Sequence, residues 1–230
     1  MYDIVFISNN ESNAEANWTR LSMRFLTAKR INGIQGIHQA HKIAANSVFT
    51  KMFWVVDGDA YILDSFNFSY QVPEHDQDIV HIFHSYNPIN ELKYGYGAVK
   101  LLPKKLTQNL DENSLDMTLS ISNKIKVINE LSNITAFNTD HLATWRSAFR
   151  EAVKLTINIQ SGIDKTESAI RLYDWMNKGQ ERPFGRECVS GARSGHEYAK
   201  SHYPDSKSLS KINDFSWLKE QFINAGFYCV

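Results

Sequence analysis

The stretch Met52–Leu63, MFWVVDGDAYIL, constrains this chain more than any other. Phe53 to Val56 are four apolar residues, two of them β-branched, and favour a buried extended strand. The strand runs into a tight turn in which Asp57 and Asp59 flank Gly58. Side chains two apart on an extended backbone project to the same side, so both carboxylates can face one small volume. Gly58 admits another group close to the backbone. Two neighbouring carboxylates repel, and a hard cation such as Mg²⁺ or Mn²⁺ relieves the repulsion, commonly sharing such oxygens with substrate phosphates. A plain surface turn uses the same residue types. The D-x-D spacing therefore gains meaning only from its surroundings.

Charge is distributed unevenly. The net charge is zero over 230 residues, which argues against a protein coated in basic groups for nucleic acid. From Trp18 to Lys51 the charged residues are Arg20, Arg24, Lys29, Arg30, Lys42 and Lys51, with no Asp or Glu. From Met52 to Leu92 every Lys and Arg is absent and the charged residues are acidic. A basic segment meeting an acidic, metal-competent strand end suits an anionic ligand that carries a cation, unless folding scatters these charges over different faces. Cys188 and Cys229 are the only cysteines; they suffice for one pair but not for a disulfide framework. No apolar run approaches the roughly 20 residues that span a bilayer. The chain opens on a strand pattern, YDIVFI, without a signal-peptide layout. The expectation is a cytoplasmic protein with no membrane partner.

Read in order, the pattern predicts strands at 2–7, 24–28 and 52–56, alternating with helices at 14–21 and 37–46. That is a parallel sheet with right-handed crossovers and ligands at the carboxyl ends of the strands. His38 and His41 share a helix face, where they suit a metal, a ligand's phosphates or plain surface. A further strand is expected at 80–84. Tyr94-Gly95-Tyr96-Gly97 suits either a flat ring stacked on tyrosine or a packed β-bulge. Residues 111–116 read as a loop, 124–137 as extended, and 141–157 as an amphipathic helix. A helix over 161–176 is entered through Gly162 and Asp164. Residues 182–211 read as a flexible, basic segment punctuated by Gly185, Gly191 and Gly195. A short helix closes at 217–222.

The strand ending V-D-G-D-A, preceded by H-x-A-H-K-x-A-A, is similar to the nucleotide-sugar half of GT-A glycosyltransferases. The run V-H-I-F-H-S-Y-N-P-I-N-x-L-x-Y-G-Y-G-A-V-K-L-L-P, followed by F-N-T-D-H-x-A-T-W-R-S-A-F-R-E-x-V-K-L, resembles a group of phage-encoded glycosyltransferases. The resemblance spans about residues 2–200. It implies an α/β, GT-A-like single domain. A Rossmann-like nucleotide-binding sheet with the D-x-D would occupy residues 1–105, and a mixed acceptor-side half with the basic C-terminal segment would occupy 106–230. It implies a UDP-sugar donor and Mn²⁺ or Mg²⁺. Asp57 would reach the ribose or a metal-bound water, and Asp59 would bind the metal. His196 is the candidate for completing the metal shell. Asn9, Lys29, Arg30, His41 and Lys42 would line the nucleotide pocket by their positions after strands.

Breaking the bond between sugar and diphosphate builds negative charge on the leaving group, which a cation and basic side chains stabilise. An inverting enzyme also uses a base on the acceptor hydroxyl. Asp140 and Glu151 are the carboxylates for that role, with His84 and His141 behind them; Glu151 also suits pairing with Arg146, Arg150 or Lys154 on its own helix. T-even-like phages glycosylate hydroxymethylcytosine in their own DNA, some relatives with arabinose. The resemblance therefore implies double-stranded DNA containing 5-hydroxymethylcytosine as acceptor, in the host cytoplasm. Tyr94, Tyr96 or Trp145 would stack on a flipped base. The alternatives are transfer to a glycan or small molecule, and an inactive GT-A-like binding module.

Overall fold

The computed structural model describes residues 1–159 and 164–228. It has mixed α/β architecture, and the chain divides into two compact units. The first comprises Met1–Asn87 and Lys93–Ala136, the second Pro88–Leu92 and Phe137–Val230.

The first unit is built on seven strands: β1 (Asp3–Ser8), β2 (Lys29–Asn32), β3 (Met52–Asp57), β4 (Ala60–Ile62), β5 (Val80–Tyr86), β6 (Lys93–Pro103) and β7 (Ile125–Thr135). They form one sheet in the order β2-β1-β3-β6-β5-β7-β4. Because β7 lies between β5 and β4, the first unit continues to Ala136, past residue 105 where the sequence suggested a division. β1 pairs in parallel with both β2 and β3, whereas β6 runs antiparallel to β3.

Helices α1 (Ala14–Arg24) and α2 (Ile37–Ser47) make the two crossovers. Ala14 and Leu21 of α1 share a core with Phe6, Trp54 and Val56. Ala44 and Ala45 of α2 share the other with Val5, Phe53 and Val55. Alternate residues of a strand face opposite sides, so α1 and α2 cover opposite faces of the sheet. The chain leaves β1 in one direction and returns on its other side. This places a topological switch point between β1 and β3, where open α/β sheets bind ligands. On the α1 face, Trp54 meets Phe66, Phe68 and Phe83 at centroid distances of 5.7, 5.2 and 4.9 Å. Such ring pairs add about 0.5–1.5 kcal/mol each beyond area burial.

The second strand differs from expectation. Residues 24–28 are not extended: α1 runs on to Arg24, whose guanidinium donates to the carbonyls of Leu63, Asp64 and Phe66 at 3.1, 3.0 and 2.8 Å. Phe25 then packs edge-on against Phe68. The polar KRIN segment forms the strand instead, on the strength of its pairing with β1. Two short helices, α3 (Lys104–Gln108) and α4 (Met117–Ile121), lie between β6 and β7.

The second unit is helical: α5 (His141–Thr156), α6 (Lys165–Asn177), α7 (Gly185–His202), α8 (Ser206–Leu209) and α9 (Phe215–Asn224). Asp164 caps α6 by accepting from the Glu167 amide at 2.8 Å. The start expected for that helix, Gly162 included, lies outside the described residues, as does Cys229. Most of the segment expected to be flexible is the 18-residue helix α7. Its glycines serve close packing. A Cβ on Gly191 would stand 2.3 Å from the Trp145 carbonyl oxygen, and one on Gly195 2.3 Å from that of Phe149. Both pairs are spaced i, i+4, so one face of α7 lies directly on the backbone of α5.

Candidate active site at the ends of strands β1 and β3

Asp57 is the last residue of β3, paired with Ile7 of β1. Gly58 and Asp59 make the turn into β4, whose antiparallel pairing with β7 holds the far side of the turn. The backbone of the turn is tied down on both sides. The Asn17 amide donates to the Gly58 carbonyl at 2.9 Å, and the Ala136 amide donates to the Asp59 carbonyl at 2.8 Å.

The group that comes close to Gly58 is Glu11. A Cβ at position 58 would lie 2.6 Å from Glu11 Oε2 and 3.0 Å from the Ser8 Cβ. Glu11 is itself oriented by the Asn9 amide, which donates to Oε2 at 2.7 Å. Glycine at this turn therefore makes room for a third carboxylate beside Asp57 and Asp59. Loss of solvation on burial, then the negative charges of Asp57 and Glu11, push the Asp59 carboxyl up to about 7. The cluster is short of positive charge for the number of acids it holds.

One cation sits inside it. Lys100 lies opposite Val55 in the β3–β6 pairing, which puts it on the α2 face beside Asp57. It is 2% exposed. Its ammonium donates to Asp57 Oδ1 at 2.8 Å and to the Gly97 carbonyl at 2.6 Å. Gly97 sits at φ +89° in the irregular part of β6, a conformation that favours glycine. The packed-bulge reading of the Tyr-Gly-Tyr-Gly run is the one observed: Tyr94 is 2% exposed and meets Tyr96 edge-on at 5.7 Å.

His41 is buried on α2, with Nδ1 against the Ile37 carbonyl at 2.8 Å. That contact makes Nδ1 the protonated nitrogen and leaves Nε2 a bare acceptor. Burial, then the charge of Lys100, pulls its pKa down to about 3, so the imidazole is neutral.

The remaining nucleotide-side candidates are distributed along the sheet. Arg30 reaches the end of β1, donating to Ser8 Oγ at 3.2 Å, and grips Glu15 through both terminal nitrogens at 2.8 and 2.6 Å. Asn9 is exposed in the loop after β1. Lys29 begins β2, at that strand's amino end, where its ammonium donates to the Ser47 carbonyl and lies over the Phe49 ring. Lys42 pairs with Glu112. Thus Asp57 and Asp59 lie at the end of β3 and in the turn after it, Arg30 reaches Ser8 at the end of β1, and Lys29 lies at the opposite, amino end of β2.

His84 lies where the β5–β6 and β5–β7 registers shift. The other expected site residues belong to the second unit. Asp140 is exposed and caps α5, its Oδ1 accepting from the Ala143 amide at 2.7 Å. Glu151 is buried on α5. His141 contacts Glu187 through Nδ1 at 2.8 Å. His196 contacts the Thr156 hydroxyl at 2.9 Å. Trp145, expected to offer a stacking face, is enclosed instead: it is fully buried, stacked on Phe149 at 5.0 Å and edge-on to Phe222. The enclosed ring of Tyr94 is likewise unable to present a face to a ligand.

Sequence reasoning missed Glu11 and Lys100. The signal for Lys100 was a lone lysine between Val99 and Leu101-Leu102, in a stretch otherwise fit for a core. Glu11 left no signal, because it follows a polar loop of ordinary composition. Among the described residues no group of three or more His, Cys, Asp or Glu side chains is arranged to hold a metal ion. No described helix is long and apolar enough to cross a membrane.

No family model and no curated protein matches the chain. Among solved structures it is similar to one described as S. aureus TarS 1-349, at 10% identity and a TM-score of 0.34, covering 95% of this chain and 92% of that one.

Proposed function

We propose that the first unit binds a nucleotide sugar and a divalent cation, and that the protein transfers the sugar to an acceptor hydroxyl. The observation that carries this reading is the Asp57-Gly58-Asp59 turn at the switch point between β1 and β3, with Glu11 and Lys100 packed against it. Hard oxygen donors crowded enough to hold one carboxyl partly protonated near neutrality are a donor set that Mg²⁺ or Mn²⁺ fits. In this reading Asp57 and Asp59 would hold the ion, with His196 the protein side chain to test as a further ligand. When bound, the ion stabilises negative charge on the departing diphosphate.

The chain's own residues do the rest. Lys100 holds Asp57 through Oδ1 and would supply a positive charge toward a diphosphate bound there. The loop carrying Asn9, together with Arg30, borders the nucleotide pocket from β1 and β2, with His41 and Lys42 on the neighbouring helix α2. Asp140, Glu151 and His84 are the groups to test as the base on the acceptor hydroxyl; of the two carboxylates, Asp140 is the exposed one. The donor is a UDP-sugar, and the acceptor is 5-hydroxymethylcytosine in double-stranded DNA. These two assignments follow the resemblance of residues 80–103 and 137–155 to the phage enzymes.

A screen of UDP-sugars against acceptors, read by mass spectrometry, tests the reading. The expected result is a mass gain of one sugar on hydroxymethylated duplex DNA and none on unmodified DNA. Transfer to a glycan or small molecule alone would replace the acceptor. Donor binding with neither transfer nor hydrolysis would make the protein a binding module. Asp59→Ala is expected to lower turnover at least about a hundredfold with the fold intact, as does removal of the cation by chelator. Full activity in either case overturns the mechanism.

A further inference from the structure

Lys100 is expensive where it stands. Its neighbours Val99, Leu101 and Leu102 are fully buried, and an apolar side chain opposite Val55 would extend that core. Replacing a buried ion pair by apolar residues is often neutral or stabilising, so pairing with Asp57 does not by itself account for a lysine here. The surroundings deepen the question. The ammonium takes one oxygen of Asp57, the residue that a cation would also use, and it takes the Gly97 carbonyl, which a left-handed glycine turns toward it. The adjacent His41 is neutral and adds no charge of its own.

The consequence differs for two ligands. A bare dication approaching Asp57 meets a fixed positive charge already on that carboxylate, and like charges in a half-buried site repel strongly. A diphosphate carrying the same dication brings negative charge that attracts both. We propose that Lys100 is a specificity-determining residue that sets this site for a cation bound together with a diphosphate and against the bare cation. The proposal rests on the nucleotide-sugar reading above and adds to it the residue that couples the two ligands.

The test measures binding, not turnover. Mn²⁺ is titrated into wild type, Lys100→Gln and Lys100→Arg by electron paramagnetic resonance, and uridine diphosphate is titrated calorimetrically at saturating Mn²⁺. Glutamine keeps a hydrogen-bond donor and drops the charge; arginine keeps the charge. In Lys100→Gln the Kd for bare Mn²⁺ should fall roughly tenfold while the Kd for uridine diphosphate rises roughly tenfold. Lys100→Arg should stay near wild type on both. Changes of the same sign, or no change, in folded Lys100→Gln overturn the proposal. If neither variant folds, Lys100 is a structural counter-ion and the proposal is likewise overturned. Wild type that binds neither Mn²⁺ nor uridine diphosphate overturns the nucleotide-sugar reading itself, which separates that failure from a failure of the variant alone.

Discussion

In the first unit the strand ends enclose charge, with Asp57, Asp59, Glu11 and Lys100 within a few residues of a hydrophobic sheet. In the second, helices α5 and α7 enclose rings and bare backbone, with Trp145 and Phe149 at the carbonyls on which Gly191 and Gly195 rest. Both regions place glycine where backbone must come close to something, yet for different ends. At Gly58 the neighbour is a carboxylate on a flexible side chain; at Gly191 and Gly195 it is a helix backbone that cannot yield. The first arrangement holds electrostatic repulsion that a ligand can relieve. The second sets apolar rings and main chain against each other, so Gly191 and Gly195 matter there for close packing.

The comparison breaks most readily at the helix pair. Gly191→Val or Gly195→Val is expected to cost more than about 3 kcal/mol, since the added carbon overlaps a main-chain carbonyl. Circular-dichroism melts of the two variants should show the largest loss of stability of any change discussed here. A loss under 1 kcal/mol would mean that the pair is not packed on bare backbone.

Asp59→Asn sharpens the contrast from the other side. The folded carboxyl titrates near 7, above its ordinary value of 3.8, so the folded state holds a proton that the unfolded chain has lost between those limits. Stability from this group is therefore full below about pH 4 and declines as pH rises through 7. The asparagine variant should melt roughly 3–6 °C above wild type at pH 8 and level with it at pH 4, while losing transfer activity. A variant less stable than wild type at pH 8 would show that the acids are not in repulsion.

The smallest effect belongs to Asp140. As the cap of α5 it should cost about 1 kcal/mol when changed to alanine, and little when changed to asparagine, which caps as well. If both variants lose turnover equally, Asp140 acts on the acceptor and not only on the helix. If only alanine loses stability and neither loses turnover, the base lies elsewhere.

How far these features could be read in advance depended on how local their causes are. Strand β3 and its acidic turn were legible because four consecutive apolar residues and a D-G-D turn carry their own conformational signal. Helix α5 was legible from its apolar periodicity and α2 from its alanines. Helix α7 was not. Glycines in a basic stretch read as flexibility, and only the α5 backbone against them turns the same residues into a close-packed face. Strand β2 failed for a similar reason, since KRIN has no apolar alternation and is extended only through its ladder with β1. Trp145 read as a stacking ring because its partners Phe149 and Phe222 come from a neighbouring helical turn and from the far end of the chain.

What the amino-acid order determined by itself was two carboxylates in a tight turn after a buried strand, because an apolar run favours the strand and an Asp-Gly-Asp sequence the turn. Asp59 lies in that turn and not on extended backbone, so strand alternation does not set the two side chains on one side. What only the tertiary structure decided was the charge around them. Glu11 arrives from the loop after β1 and Lys100 from an antiparallel strand more than forty residues later in the chain than Asp57. Electrostatic interaction depends on distance in space, and no pattern along the chain records which strands become neighbours.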